Sequence, residues 1–213
     1  MSVPQAIAPS AAQRAIPNAL TTGRLIAAGA VIWMLGSLEP LSPSRLLWAA
    51  GLFIAAAVTD ALDGFLARRW NAVSKFGRVA DPLADKILVL GAFVCLAGPA
   101  FVRNGPDGPW QQSAVTPVIA SIILARELLV TSLRGLIEGS GADFSASASG
   151  KAKMVLQSVC IPLVLIVLAT QDTQPGSTAR TVLTATAWLT TAVTAISAWP
   201  YIARAATLSR TPA

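Results

Sequence analysis

The chain has 213 residues, of which 54% are hydrophobic and only 12% are charged, and its mean hydropathy is +0.63. Soluble domains carry about 25% charged residues, so this composition excludes an ordinary soluble protein and indicates a chain that crosses a membrane several times. The net charge is +6 and histidine is absent, which excludes imidazole chemistry; membrane topology explains the basic balance better than nucleic-acid binding does.

The first 17 residues are rich in alanine, proline and serine, and they are predicted to form a cytosolic tail or a short interfacial helix. They show no signal-peptide pattern, because residues 1–13 contain no basic residue. Pro17 is a favourable first residue of a helix, and Asn18 or Thr21 can cap its first exposed N–H groups. We therefore predict that the membrane domain begins at about residue 18.

Six apolar stretches follow, each about as long as the ~20 residues that a helix needs to cross a bilayer. The predicted spans are residues 19–38, 46–68, 79–100, 113–136, 152–170 and 181–203. Breaks rich in proline, glycine and polar residues separate them on one side of the membrane, at 39–40, 105–109 and 172–177. The sequence therefore predicts an all-α integral membrane protein with six transmembrane helices in one domain, residues 18–206, and a C-terminal tail, 207–213.

The lysines and arginines orient these spans. Only Arg45, Arg103 and Arg180 lie on the side of the three breaks, and the other basic residues lie in the loops and helix ends of the opposite side. Because cytoplasmic loops are enriched in lysine and arginine, we predict that both termini are cytosolic.

Four aspartates lie where the second and third spans approach the cytosolic side. Asp60 and Asp63 are three residues apart, and Asp81 and Asp85 are four apart, so each pair occupies one helix face. A rise of about 1.5 Å per residue places both pairs at similar depth, where adjacent antiparallel helices would bring them together. Clustered carboxylates need cations, and oxygen-only ligands favour Mg²⁺, Mn²⁺ or Ca²⁺, in a site of the two-metal kind that binds phosphates.

Small and basic residues accompany the aspartates. Gly64 and Ala67 share the face of the first pair and leave room for a ligand, although helix packing alone also accounts for them. Arg68 at the cytosolic end can meet a phosphate or extend to the interface, and Gly77 on its own reads as a turn glycine. Together the residues form the pattern D-x-x-D-G-x-x-A-R, eight residues, then G-x-x-x-D-x-x-x-D, met at every fixed position.

This pattern is the signature of the CDP-alcohol phosphatidyltransferases, and the chain resembles that family over about residues 16–160. Three further segments are similar to the branch of the family that makes phosphatidylglycerophosphate. They are I-P-N-A-L-T-T-G-R from Ile16, A-R-E-L-L-V-T-S-L-R from Ala125 and S-G-K-A-K-M-V-L-Q from Ser149. Ala61 and Met154 depart from that branch, which usually has an aromatic residue and a threonine there.

The resemblance implies transfer of the phosphatidyl group of CDP-diacylglycerol to glycerol 3-phosphate, with release of CMP, near the cytosolic face of the cell inner (cytoplasmic) membrane. It implies two Mg²⁺ or Mn²⁺ ions per active site, held by Asp60, Asp63, Asp81 and Asp85, with Asp85 as general base. It implies a CDP-diacylglycerol site formed by Gly64, Ala67, Arg68 and Gly77, with Asn18 and Thr21 as its floor. A homodimer surrounded by membrane lipid is expected, with no nucleic-acid partner.

An acceptor that carries a phosphate needs cations, and four basic residues lie near the inner face: Arg126, Arg134, Lys151 and Lys153. Arg126 lies deeper than an interfacial arginine requires, so the alternative for it is an ion pair with Glu127 or with an aspartate of the signature. For Lys151 and Lys153 the alternative is contact with anionic lipid or a topology signal.

Other functions share parts of this pattern. A cardiolipin synthase or a serine- or inositol-type phosphatidyltransferase would use the same chemistry with another acceptor, and serine would not need the basic residues. A membrane prenyltransferase also binds Mg²⁺ and diphosphate through aspartates, but in another arrangement and without the G-x-x-A-R ending. A cation-coupled transporter would need acidic residues continuing outward, and the outer halves of these spans show none comparable.

Overall fold

The computed structural model describes residues 11–37, 41–69, 75–106, 108–139 and 148–208, with side chains for residues 18–37, 41–60, 62, 80–106, 108–137 and 150–207. The predicted tails therefore lie outside the described residues, except for residues 11–17 and 207–208. Seven α-helices account for most of this part of the chain. They are α1 (Ala11–Gly36), α2 (Pro43–Arg69), α3 (Lys75–Leu96), α4 (Pro117–Gly139), α5 (Ala148–Thr170), α6 (Thr178–Ile196) and α7 (Trp199–Leu208).

Three stretches in the described part are long and apolar enough to cross a membrane: Asn18–Gly36, Gly150–Thr170 and Thr178–Thr207. Helices α2, α3 and α4 are of similar length but contain the aspartates and basic residues discussed above, which lower their mean hydropathy. These long apolar helices confirm the prediction of a helical membrane protein. Each predicted span corresponds to one helix of the structure or, for the last span, to two.

The N-terminal boundary of α1 differs from the prediction. The chain is helical from Ala11, so Pro17 lies inside α1 and does not start it. Alanine has the highest helix propensity, and the segment A-A-Q-R-A-I that precedes Pro17 continues the helix toward the N-terminus. The missing N–H of Pro17 leaves one backbone carbonyl of the preceding turn without its helical donor, an interruption that helices of membrane proteins tolerate.

The last predicted span is not one continuous helix. Helix α6 ends at Ile196 and α7 begins at Trp199, because Pro200 has no N–H to donate to the Ile196 carbonyl and its ring would clash with that carbonyl. At the break, the Ser197 hydroxyl donates to the Thr194 carbonyl at 2.6 Å. The break leaves the Ser197 carbonyl free of the helical pattern and turns the chain toward α4, which contacts both α6 and α7.

The helices pack through stripes of buried residues. On α1 the buried positions Ala28, Val31 and Leu35 follow the spacing of three and four residues that defines one helix face. This face packs against both α2 and α3, while α2 packs against α5, and α5 packs against α6. Large apolar side chains such as Phe53 and Phe93 fill the centre of the bundle.

A small hairpin, which the sequence did not lead us to predict, follows α3 at the other end of the bundle. A 3₁₀ turn, Pro99–Phe101, leads into β1 (Val102–Gly105), which pairs antiparallel with β2 (Gly108–Gln111). Gly108 has φ of +108°, a conformation that favours glycine. Arg180 of α6 stacks over Trp110 at 5.1 Å and donates to the Gln111 carbonyl. The third predicted span, 79–100, was therefore displaced toward the C-terminus, since α3 runs from Lys75 to Leu96.

Helices α1 and α3 approach each other closely at Gly91. A Cβ atom built on Gly91 would lie 2.8 Å from Ile32 Cγ1 and closer still to its Cδ1. We expect Gly91→Ala to lower the free energy of unfolding by about 1 kcal/mol or more, because overpacking forces Ile32 off its rotamer. Thermal unfolding in detergent measures this.

Two variants control that measurement. Gly51→Ala on α2 meets no atom within 4 Å, so it should be neutral or slightly stabilising. Adding Ile32→Ala to Gly91→Ala should give a smaller combined loss than the sum of the two single losses. Additive losses would mean that the two residues do not contact each other.

Candidate functional site

The first part of the site is a carboxylate cluster where α2 and α3 meet, and its described side chains are those of Asp60 and Asp81. A single guanidinium nitrogen of Arg24 contacts Asp60 Oδ1 and lies 4.0 Å from Asp81 Oδ1. Thr21 Oγ1 donates to Asp81 Oδ1 at 2.5 Å. The predicted proximity of the aspartates on α2 and α3 is therefore confirmed for Asp60 and Asp81.

The sequence of α1 explains why Thr21 and Arg24 reach these aspartates. Both residues lie on the same helix face as Ala28 and Val31, so the buried stripe of α1 continues as a polar stripe toward the N-terminal end. That stripe faces α2 and α3 together, since α1 packs against both helices. The side chain of Arg24 is only 1% exposed, whereas those of Asp60 and Asp81 are 34% and 41% exposed. Arg24 is thus buried beside two half-exposed aspartates.

Several predicted site residues have side chains outside the described set. The backbone at Asp63, Gly64, Ala67 and Arg68 belongs to α2, and that at Gly77 belongs to α3. Their side-chain roles therefore stay predictions. Asn18 is half-buried, and its backbone carbonyl accepts a hydrogen bond from Thr22 Oγ1 at 2.9 Å.

The second part of the site is a buried ionic cluster on α4 and α5, formed by Arg126, Glu127 and Lys153. Arg126 Nη1 lies 2.9 Å and Lys153 Nζ 2.6 Å from the same oxygen, Glu127 Oε1. All three residues are buried, with 7% or 8% exposure. The alternative in which Arg126 pairs with Glu127 is confirmed. Two cations share one carboxylate, so the cluster keeps a net positive charge inside the protein.

The break between α6 and α7 fixes the position of Arg126. Its Nη2 donates to the Ser197 carbonyl at 3.3 Å, and its guanidinium lies 5.8 Å from the centre of the Tyr201 ring. Its Nε is buried and has no hydrogen-bond partner among the described residues. A buried donor without a partner is unfavourable, so this atom is suited to an acceptor brought by a ligand.

A cavity of about 710 Å³ opens beside the ionic cluster. Its lining includes the four basic residues predicted to bind an acceptor phosphate, Arg126, Arg134, Lys151 and Lys153, together with Lys86. Lys86 Nζ donates to Thr131 Oγ1 at 2.5 Å. The structure thus brings the predicted basic residues to one cavity, although Lys151 and Arg134 are exposed at its edge.

Asp85 connects the two clusters. It is half-buried on α3 and lies within electrostatic range of Arg24 and Asp60 from the first cluster and of Glu127 and Lys153 from the second. Lys86, the next residue along the chain, lines the cavity. A carboxylate is therefore held between a group of aspartates and a positively charged cavity.

The carboxylate cluster suits a divalent cation. Its donors are oxygen atoms only, which Mg²⁺ and Mn²⁺ prefer, and two of the four predicted ligands already meet at one cation, the Arg24 guanidinium. Among the described side chains no three acidic residues converge on a single point, and Asp63 is not in that set. If bound there, the ions would be held by the aspartates of α2 and α3.

Some residues of the site were not identified from the sequence as part of it. Arg24 was assigned only to the charge distribution of the inner face, although it lies three residues after Thr21 and therefore on the same helix face. Tyr201 and Ser197 were missed because the last span was taken as a continuous helix. Pro200, four residues after Ile196, was the signal that could have revealed them.

Comparison with known proteins gives one matching family. The model of the CDP-alcohol phosphatidyltransferase family matches residues 14–196. Among the similar proteins are several named CDP-diacylglycerol–glycerol-3-phosphate 3-phosphatidyltransferase. The relative from Cereibacter sphaeroides is 38% identical over 152 residues, covering 71% of this chain and 63% of the relative. That from Bacillus subtilis is 30% identical over 200 residues, covering 89% and 94%, and that from Rickettsia bellii is 32% identical over 151 residues, covering 71% and 75%.

Proposed function

We propose, on the premise that this chain belongs to the CDP-alcohol phosphatidyltransferase family, that it transfers the phosphatidyl group of CDP-diacylglycerol to glycerol 3-phosphate. The products would be phosphatidylglycerophosphate and CMP. The observation that carries this proposal is the placement of Asp85 between the carboxylate cluster and the basic cavity. The names of the three relatives support the same donor and acceptor.

In the proposed reaction Asp85 accepts the proton of the acceptor hydroxyl. The resulting oxygen nucleophile forms a bond to the phosphorus next to diacylglycerol, and the bond between that phosphorus and the bridging oxygen of CMP breaks. CMP leaves with the electron pair. Two divalent ions held by Asp60, Asp63, Asp81 and Asp85 would neutralise the charge of the diphosphate.

The basic cavity would hold the phosphate of the acceptor. Lys153 and Arg126 are buried at its inner end, where low dielectric strengthens their attraction to a phosphate. Arg126 Nε is available as a donor, while Glu127 holds the two cations close together against their mutual repulsion. Serine has no net charge because its ammonium group offsets its carboxylate, so this positively charged cavity favours a phosphate-bearing alcohol over serine.

The acyl chains of the donor would lie in an apolar groove between α2 and α5. This groove has a volume of about 640 Å³ and is lined by residues such as Val58 and Leu62 of α2 and Val155 and Val159 of α5. Leu62 follows Asp60 by two positions, and Met154, also in the lining, follows Lys153 directly. A lipid in the groove would thus have its headgroup beside both clusters.

The same proposal includes a topology and a location. Six transmembrane spans would place both termini in the cytosol, in the cell inner (cytoplasmic) membrane, with the site accessible to a soluble acceptor. A homodimer stays a prediction. A cysteine at Ser44 should react with an impermeant maleimide in right-side-out vesicles, and one at Ala206 in inverted vesicles only; the reverse pattern would contradict this orientation.

CMP release tests the proposed reaction. Purified protein in detergent receives CDP-diacylglycerol with Mg²⁺ or Mn²⁺, and glycerol 3-phosphate, phosphatidylglycerol, serine and inositol phosphate are offered separately. We expect CMP release with glycerol 3-phosphate, its loss on addition of EDTA, and its return with excess metal. Release with a different acceptor would change the assigned substrate. No CMP with any acceptor and either metal would rule out the reaction.

A further inference from the structure

Arg24 occupies an unusual place for a cation in the carboxylate cluster. Its guanidinium comes from α1 and meets aspartates of two other helices, Asp60 on α2 and Asp81 on α3. Thr21, on the same face of α1, donates to Asp81 at 2.5 Å. Helix α1 therefore supplies both a charge and a hydrogen bond to carboxylates that would otherwise repel each other across α2 and α3.

The contacts of Arg24 separate it from the basic residues proposed to bind the acceptor phosphate, because Arg24 pairs with aspartates of α2 and α3 and does not line the basic cavity. Its side chain is 1% exposed, whereas those of Asp60 and Asp81 are 34% and 41% exposed. By contrast, the exposed residues Lys151 and Arg134 line the open cavity. Arg24 is placed to act on the carboxylates themselves.

An arginine in this position has two effects on the site, one without metal and one when a divalent ion binds. Its positive charge neutralises the aspartates in the absence of metal and keeps their carboxylates in place. The same positive charge repels any metal ion that binds to those carboxylates, because charges a few ångströms apart inside a protein interact strongly. The net result is an ordered site with moderated metal affinity.

We propose that Arg24 is a fixed internal counter-ion of the metal site. It stabilises the metal-free protein by holding Asp60 and Asp81, and it weakens divalent binding so that the metals remain exchangeable. Arg24 is a positioning residue, since it acts through the aspartates. This inference rests on the proposed function, in which those aspartates bind metal.

The test measures Mn²⁺ affinity and metal-free stability of the full-length protein in a non-ionic detergent. Two neutral variants, Arg24→Met and Arg24→Gln, remove the charge, and the glutamine also keeps a donor for Asp60 in case the methionine variant does not fold. We expect both to lower the Kd for Mn²⁺ about tenfold or more, as loss of a nearby like charge predicts. Arg24→Lys, which keeps the charge, should stay closer to the unaltered protein.

Thermal unfolding provides the second readout. In EDTA the neutral variants should unfold several degrees below the unaltered protein, because Asp60 and Asp81 lose their cation. Adding Mn²⁺ should raise their Tm by more than it raises that of the unaltered protein, since tighter binding to the folded state stabilises it more. Arg45→Gln, which removes the same charge near the other end of α2, should change neither the Kd nor the metal-induced rise in Tm.

The possible results separate this inference from the proposed function. If the unaltered protein binds Mn²⁺ and the neutral variants bind it equally or more weakly, Arg24 is a structural or ligand-orienting residue and the inference is overturned. If the unaltered protein binds no Mn²⁺, the metal site of the proposed function fails, and the inference fails with it. If the neutral variants bind Mn²⁺ more tightly and Arg24→Lys has a Kd close to that of the unaltered protein, the result supports both the inference and the metal site of the proposed function.

Discussion

Replacing Asp85 by asparagine is expected to lower kcat for CMP release by about a hundredfold to ten-thousandfold, the usual contribution of a general base. The asparagine has the same shape but cannot accept the proton of the acceptor hydroxyl, and it is a poorer metal ligand. The contacts of Arg24 with Asp60 and of Glu127 with Lys153 do not involve Asp85, so the fold should persist. Initial rates at saturating glycerol 3-phosphate, with Tm as a check of folding, measure the effect.

The matched control is Asp172→Asn, at the other end of the bundle. Asp172 is exposed in the loop after α5, where its carboxylate accepts a hydrogen bond from the Gln174 backbone N–H at 3.1 Å. Its replacement should leave kcat within about twofold, because Asp172 lies far from the site and surface substitutions usually change the free energy of unfolding by no more than about 0.5 kcal/mol. An Asp85→Asn protein that keeps more than a tenth of the rate would show that another group accepts the proton.

Lys153→Met is expected to raise KM for glycerol 3-phosphate about 10- to 150-fold, since a hydrogen bond to a charged group contributes about 1.5–3 kcal/mol. Methionine keeps much of the length of the side chain but removes its charge. Glu127 would still pair with Arg126 at 2.9 Å, so no buried carboxylate is left without a cation. The KM for CDP-diacylglycerol should change much less, because in the proposed mode the donor binds through the carboxylate cluster and the apolar groove.

Lys151→Met provides the comparison for this variant. Lys151 lines the same cavity but is exposed, so solvent screening should limit its effect to a few-fold rise in the same KM. If both variants raise KM equally, the buried cluster has no special role in binding the phosphate. If Lys153→Met raises the KM for both substrates alike, it has disturbed the site as a whole rather than the acceptor pocket.

Local patterns in the sequence were enough to predict the helical membrane class and the family. Signature residues spaced three and four apart share a helix face whatever the helix packs against. Knowledge of the fold is therefore not needed to place Asp60 and Asp63 on one face, or Asp81 and Asp85 on another. The family assignment, which the match over residues 14–196 confirms, rests on the same fixed spacings. The break at Pro200 was equally local, and it was missed only because the apolar run continues across it.

Apart from the predicted approach of the α2 and α3 aspartates, contacts between helices were decided by the tertiary structure alone. In the sequence Arg24 is one basic residue at the inner end of a span, and nothing in its neighbourhood shows that α1 packs on α2 and α3 at once. The partner of Arg126 was likewise open between Glu127 and an aspartate, and the structure places Arg126 on Glu127, together with Lys153 of α5. A sequence determines which side chains share a helix face, because that depends on the helical repeat. Which faces meet depends on the packing of the whole bundle, and that packing put Arg24 among the aspartates.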